Sequence, residues 1–173
     1  MIRLRETPGR LAIWLCLALF AAANLHASPA EPLRPVGSGK FTWFGMTVYR
    51  ATLLTADGSF SSTDRYALQI DYQFDFTRQQ LARSSLEQIE RLYGKQADGE
   101  RLIQQLQAVF CDVRSGDHIL GLHQPGEGAW FYNDEGLIGE LDDPRLAQAF
   151  FDIWLAPGTS EPELRRQLLG LDP

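Results

Sequence analysis

YALQIDYQF, residues 66–74, decides what kind of sheet this chain builds. Tyr66, Leu68, Ile70, Tyr72 and Phe74 alternate with Ala67, Gln69, Asp71 and Gln73. A repeat of two is the mark of a strand with one buried face, since successive side chains leave a strand on opposite sides. The period then changes at once. Thr77 and Gln80 make a capping box, and Leu81, Leu86, Ile89 and Tyr93 keep to one broad helical face that closes at Gly94. A second helix is expected from about Asp98, with Leu102, Ile103, Leu106, Val109 and Phe110 at helical spacing.

Working outward, GSGKFTWFGMTVYRATLL at 37–54 is rich in aromatic and β-branched residues and reads as two strands or one long bent strand. ADGSFSSTD at 56–64 is a polar loop. Downstream, HILGLH, GAWFYN and GLIGEL are short strand-like runs separated by QPGEG and NDEG, which suits an antiparallel meander. Pro144 fits the first turn of a helix whose face carries Leu146, Ala147, Phe150, Phe151 and Trp154. Ser160 and Glu163 form a second capping box, opening a last helix with Leu164, Leu168 and Leu169 that ends at Gly170. Strands, two helices, strands, two helices, without regular alternation, predict an α+β fold: one antiparallel sheet with helices on one face.

The first 27 residues read as an export signal and are expected to be removed. Arg3, Arg5 and Arg10 precede an apolar run from Leu11 to Ala23, and small residues follow it. That run is too short for an ordinary membrane span of about 20 residues. Residues 28–35, with two prolines, are expected to form a flexible leader before a domain at 36–173, and the protein is expected in the periplasm with no integral membrane span after processing. Loss of the signal removes three arginines and one glutamate, taking the net charge from −6 to −8. Such a balance argues against nucleic acid as a partner. Cys111 is the one cysteine outside the signal, so no internal disulfide is possible; after Val109 and Phe110 it is expected to be a buried, inert thiol.

A search for chemistry returns little. His118 and His123 are five apart, which places them on opposite faces of one strand, so no metal site is expected. There is no G-x-S-x-G elbow and no phosphate loop, and no cofactor is expected. Asp134-Glu135 and Asp142-Asp143 fall where turns and helix starts use carboxylates for local hydrogen bonds. What remains is an aromatic inventory, mostly core, part of which suits an apolar cleft with tyrosine hydroxyls to orient a bound molecule.

FFDIWLAPGTSEPELRRQLLG at 150–170, taken with Val48-Tyr49, Ala51, Leu53, Tyr72, Gly116-Asp117, Gly128 and Phe131 in order, resembles the chalcone isomerase-like proteins exported by Gram-negative bacteria. The resemblance implies an open-faced β-sandwich, a large antiparallel sheet covered on one side by helices, with a cleft between the layers. The family includes enzymes that close chalcones to flavanones, members that bind fatty acids, and bacterial members without an assigned activity. Both of the first two use an arginine on an early strand, shortly after a G-x-G run. Here Gly37-Ser38-Gly39 is that run, and Phe41 stands at the arginine position. Lys40 is adjacent but points the other way and lacks the planar two-point fork of arginine; Arg50, beside Tyr49, is expected on the surface.

The expected ligand-binding set is Lys40, Phe41, Tyr49, Tyr72 and Trp154, with no catalytic residue assigned. The reading is of a non-catalytic exported protein holding a small apolar ligand, such as a fatty acid, in the sheet–helix cleft. Two alternatives stand beside it: an isomerase of chalcone-like or other unsaturated carbonyl compounds, and a cell-envelope interaction protein whose cleft is filled with side chains.

Overall fold

The computed structural model describes residues 32–171. Six strands, β1 (Arg34–Trp43), β2 (Met46–Thr55), β3 (Tyr66–Tyr72), β4 (His118–Gln124), β5 (Gly128–Asn133) and β6 (Gly136–Leu141), pair in chain order as one antiparallel sheet. Four helices, α1 (Arg78–Tyr93), α2 (Gly99–Val109), α3 (Pro144–Leu155) and α4 (Pro162–Leu168), complete it. The α+β sheet-and-helix layering expected from the pattern is what the chain adopts. β1 begins at Arg34, so the last two residues of the expected leader belong to the sheet. The expected signal lies outside the described residues, as does the first half of the leader, 28–31.

Registration places rows of side chains across the sheet. Tyr66 pairs with Thr55 on β2 and His123 on β4, and His123 pairs with Ala129, itself opposite Leu141. Two pleats further along, Leu68 sits between Leu53 and Gly121, and Gly121 is opposite Phe131. Towards the other end of β3, Tyr72 is opposite Tyr49, which is opposite Phe41. All these residues are on the face that carries the helices, as an alternation of two requires. The alternation is not perfect: Ala67 and Leu122, paired on the other face, are also buried.

α3 lies over β4, β5 and β6, and α4 over β1. Phe151 of α3 is fully buried against Tyr66 and His123, with ring centroids 5.4 and 5.0 Å away. Burying a phenylalanine of this kind contributes about 1.5–3 kcal/mol. Glycine permits the closest approaches. A Cβ on Gly37 would fall 2.1 Å from the carbonyl oxygen of Gln167, and one on Gly139 would fall 2.5 Å from the Cα of Val109. The G-x-G run therefore makes room for α4 on the first strand.

The helix ends follow the sequence at three of four starts. Thr77 and Gln80 form the reciprocal capping box of α1, and Asp143 accepts from the Arg145 and Leu146 amides ahead of Pro144 in α3. α2 starts at Gly99, just after Asp98. The second expected capping box does not form. α4 starts at Pro162, after Glu161, and Ser160 instead donates to Oε1 of Gln88 on α1 at 2.9 Å. Thr159 takes over the local work, donating to the Ile153 carbonyl at 2.6 Å and accepting from the Glu161 amide at 3.2 Å. Cys111 lies just past α2 and is half-buried, not buried as expected; what burial it has pushes the thiol pKa up, away from the reactive thiolate.

Candidate functional site

α1 packs against α2 and α3 and stands off the strands. The gap beneath it is a cavity of about 630 Å³, floored by β1–β5 and walled by α1 and α3. This volume is in the range of small-molecule sites, and the cleft is open, which overturns the filled-cleft alternative.

Four of the five expected ligand residues converge there: Phe41, Tyr49, Tyr72 and Trp154 all line the cavity. Phe41 stacks on Tyr49 across the β1–β2 pair, with centroids 5.1 Å apart. The Trp154 indole N–H, from α3, donates to the Tyr49 hydroxyl oxygen at 3.0 Å. Since Tyr49 accepts that bond, its own hydroxyl hydrogen stays available to a guest. Burial pushes the Tyr49 pKa up to about 12; the Trp154 bond works against the shift and the nearby Glu161 charge adds to it. Burial likewise raises Tyr72, with a smaller contribution from Tyr49. Both phenols are therefore neutral hydrogen-bond donors throughout the neutral range.

Lys40 does not join them. It is exposed, on the opposite face of β1, directly across from the exposed Arg50. Phe41 occupies the inward position, so no arginine enters the cavity from this strand. Among the described lining residues the charged side chains are both acids, Asp75 and Glu161. An enolate or a carboxylate held inside would meet no cation.

The sequence reading missed the roof. Ser84, Ser85, Gln80 and Gln88 of α1 face the cavity together with Leu81. A small and polar set on the sheet-facing side of a helix is the available signal that the helix does not lie flat on the sheet. Ser85 satisfies itself by donating to the Leu81 carbonyl at 2.8 Å, so its hydroxyl does not disturb an apolar guest.

His118 and His123 take opposite faces as their spacing requires. His118 Nε2 is 3.6 Å from Asp134 at the surface, and His123 is buried beside Tyr66 with centroids 4.8 Å apart. Desolvation lowers the His123 pKa to about 4, so the ring is neutral. Among the described residues no cluster of His, Cys, Asp and Glu is arranged to hold a metal ion.

With this geometry in view, comparisons with known proteins agree. A protein of Haemophilus influenzae without a described function is 29% identical over 145 residues, covering 83% of this chain and 71% of its own length. Among solved structures, a fatty-acid binding protein of Arabidopsis thaliana superposes with a TM-score of 0.63, covering 84% of this chain and 90% of that one. At 12% identity that similarity speaks for the fold. The family model described as chalcone isomerase-like matches residues 31–170, nearly the whole described chain, and the protein belongs to the chalcone isomerase-like family.

Proposed function

We propose that this protein is a non-catalytic carrier or receptor that holds one small apolar molecule beneath α1, and that it is exported and works in the periplasm. The carrying observation is the open cavity of about 630 Å³, in which Phe41, Tyr49, Tyr72 and Trp154 meet. The fatty-acid binding protein that shares the fold supports a lipid-like guest. The export part is supported by the basic and apolar N-terminal sequence alone.

The lining also bears on the guest's polar end. Tyr49 offers a hydroxyl hydrogen, and the charged groups nearby are acids, so a long-chain alcohol, ester or protonated acid suits the site better than a carboxylate. The same lack of a cation removes the group that an isomerase would need beside a developing enolate.

The test is native mass spectrometry of the protein recovered from producing cells, followed by thermal shift with chain-matched fatty acids, alcohols and methyl esters. An adduct of one apolar molecule, and stabilisation by at least one class, is expected. No adduct and no shift with any of them would sink the proposal.

A further inference from the structure

β1 and β2 are joined by a two-residue turn, Phe44-Gly45, between the paired Trp43 and Met46. Phe44 has φ of 47° and Gly45 of 77°. These are the signs of a type I′ turn, in which Asn-Gly is favoured and a bulky residue at the first position is strained. Among the described residues the strained one is also the most exposed large apolar one: Phe44 is 87% exposed, flanked by Trp43 at 60% and Met46 at 54%. A fold that sought only stability would place neither a bulky residue in this backbone nor three large apolar side chains on one tip.

Two further observations say what the tip meets. From Arg34 to Thr55 the hairpin carries Arg34, Lys40 and Arg50 and no acid, although the whole chain has a net charge of −6. Lys40 and Arg50 lie opposite one another on the outer face, with the nine uncharged residues 41–49 between them. Four strand residues span about 13 Å, so the two cations stand about that far behind the tip. An apolar element seated about 5–10 Å into the boundary between headgroups and acyl chains would bring them to the phosphates. Three acids lie at this end of β3: Asp71, opposite Arg50; Asp75, whose carboxylate accepts the Ser115 amide; and Asp117, whose carbonyl accepts the Tyr72 amide and whose carboxylate accepts the Arg114 amide. The second observation is position: Trp43 and Met46 of the tip, with the exposed Phe74, also line the cavity.

We propose that the β1–β2 tip is a lipid-surface contact. Trp43, Phe44 and Met46 enter the interface of an anionic leaflet, Lys40 and Arg50 engage its phosphates, and the open end of the cavity is set against the lipid. Tryptophan is at home at that depth, being apolar in the ring and polar at the N–H. The inference concerns a surface and does not depend on the guest.

Flotation with vesicles tests it, using protein recovered from producing cells and no added ligand. The vesicles are phosphatidylethanolamine with phosphatidylglycerol, or phosphatidylcholine alone. Wild type is expected to float with the anionic vesicles, and Phe44→Asn to reduce the partition coefficient more than threefold. Phe44→Asn creates the favoured Asn-Gly turn, so it should melt at the same temperature or higher, and lost binding will not reflect lost folding. Lys40→Gln with Arg50→Gln should weaken floating on anionic vesicles and leave phosphatidylcholine unchanged. Partitioning that Phe44→Asn alters less than threefold overturns the proposal. So does a wild type that floats with neither vesicle, whether or not a protein partner is cross-linked at the tip.

Discussion

Tyr66 and Tyr72 stand on the same strand and the same face, six residues apart, and have opposite fates. Tyr66 is fully buried in a box of aromatic rings formed by Phe60, His123 and Phe151. Tyr72 borders open space beneath α1. The difference lies in the helix above each, and not in the strand. α3 brings Phe151 down to the sheet at the Tyr66 end, whereas α1 presents Ser84, Ser85 and Gln88 over the Tyr72 end and remains at a distance. Aromatic strands make a core or a pocket according to what the opposing layer offers them.

Four substitutions or conditions would break this comparison if it is wrong. The largest effect is expected at the closed end: Phe151→Ala should cost about 3–5 kcal/mol of unfolding free energy in urea, because the surrounding rings cannot collapse into the space. An equal loss from Phe41→Ala, at the open end, would erase the distinction. Next is pH. The folded-state pKa of His123 is depressed to about 4, below the ordinary value of 6.5, so its contribution is present above pH 6.5 and is lost as pH falls towards 4. The loss should reach about 3 kcal/mol, read as a falling urea midpoint, and should disappear in His123→Phe. At the open end, Ser85→Leu should fill space and weaken a bound apolar guest about tenfold, or about 1.4 kcal/mol, while changing stability less than that. The smallest effect belongs to Tyr49→Phe. It removes the acceptor for Trp154 and the donor to a guest, and should cost about 1 kcal/mol in binding of oxygen-bearing ligands and little for hydrocarbons.

The sheet was legible because strand periodicity depends on burial alone, and the Tyr66–Tyr72 alternation has only one way to face a helix layer. The first and third helix starts were legible because Thr77, Asp143 and Pro144 act within one turn of the chain. Ser160 misled for the opposite reason. Its pattern is local, but its partner Gln88 comes from a helix 72 residues earlier. The cavity was only half legible. Phe41, Tyr49, Tyr72 and Trp154 could be gathered from pattern and resemblance, but whether space remains among them depends on the height of α1, which no residue on the strands encodes. Lys40 could have been set aside from parity, since its neighbour Phe41 faces inward.

The strand order β1 to β6 also shapes how the chain reaches this structure. Three of the five strand pairings join neighbours through turns of two or three residues and β2–β3 through the loop 56–65; the β3–β4 pairing spans residues 73–117, which contain both α1 and α2. Closing a loop of that size, against a turn of two or three residues, costs roughly 2–3 kcal/mol more in chain entropy. The base of this excursion is stitched by paired bonds between Phe76 and Val113, by Asp75 to the Ser115 amide, and by Asp112 to the Arg78 amide. Those stitches sit where the slow closure must occur, so weakening them should retard refolding more than it hastens unfolding. The roof over the cavity and the slowest join in the sheet are thus one segment: the cavity takes shape only when the two halves of the sheet find each other.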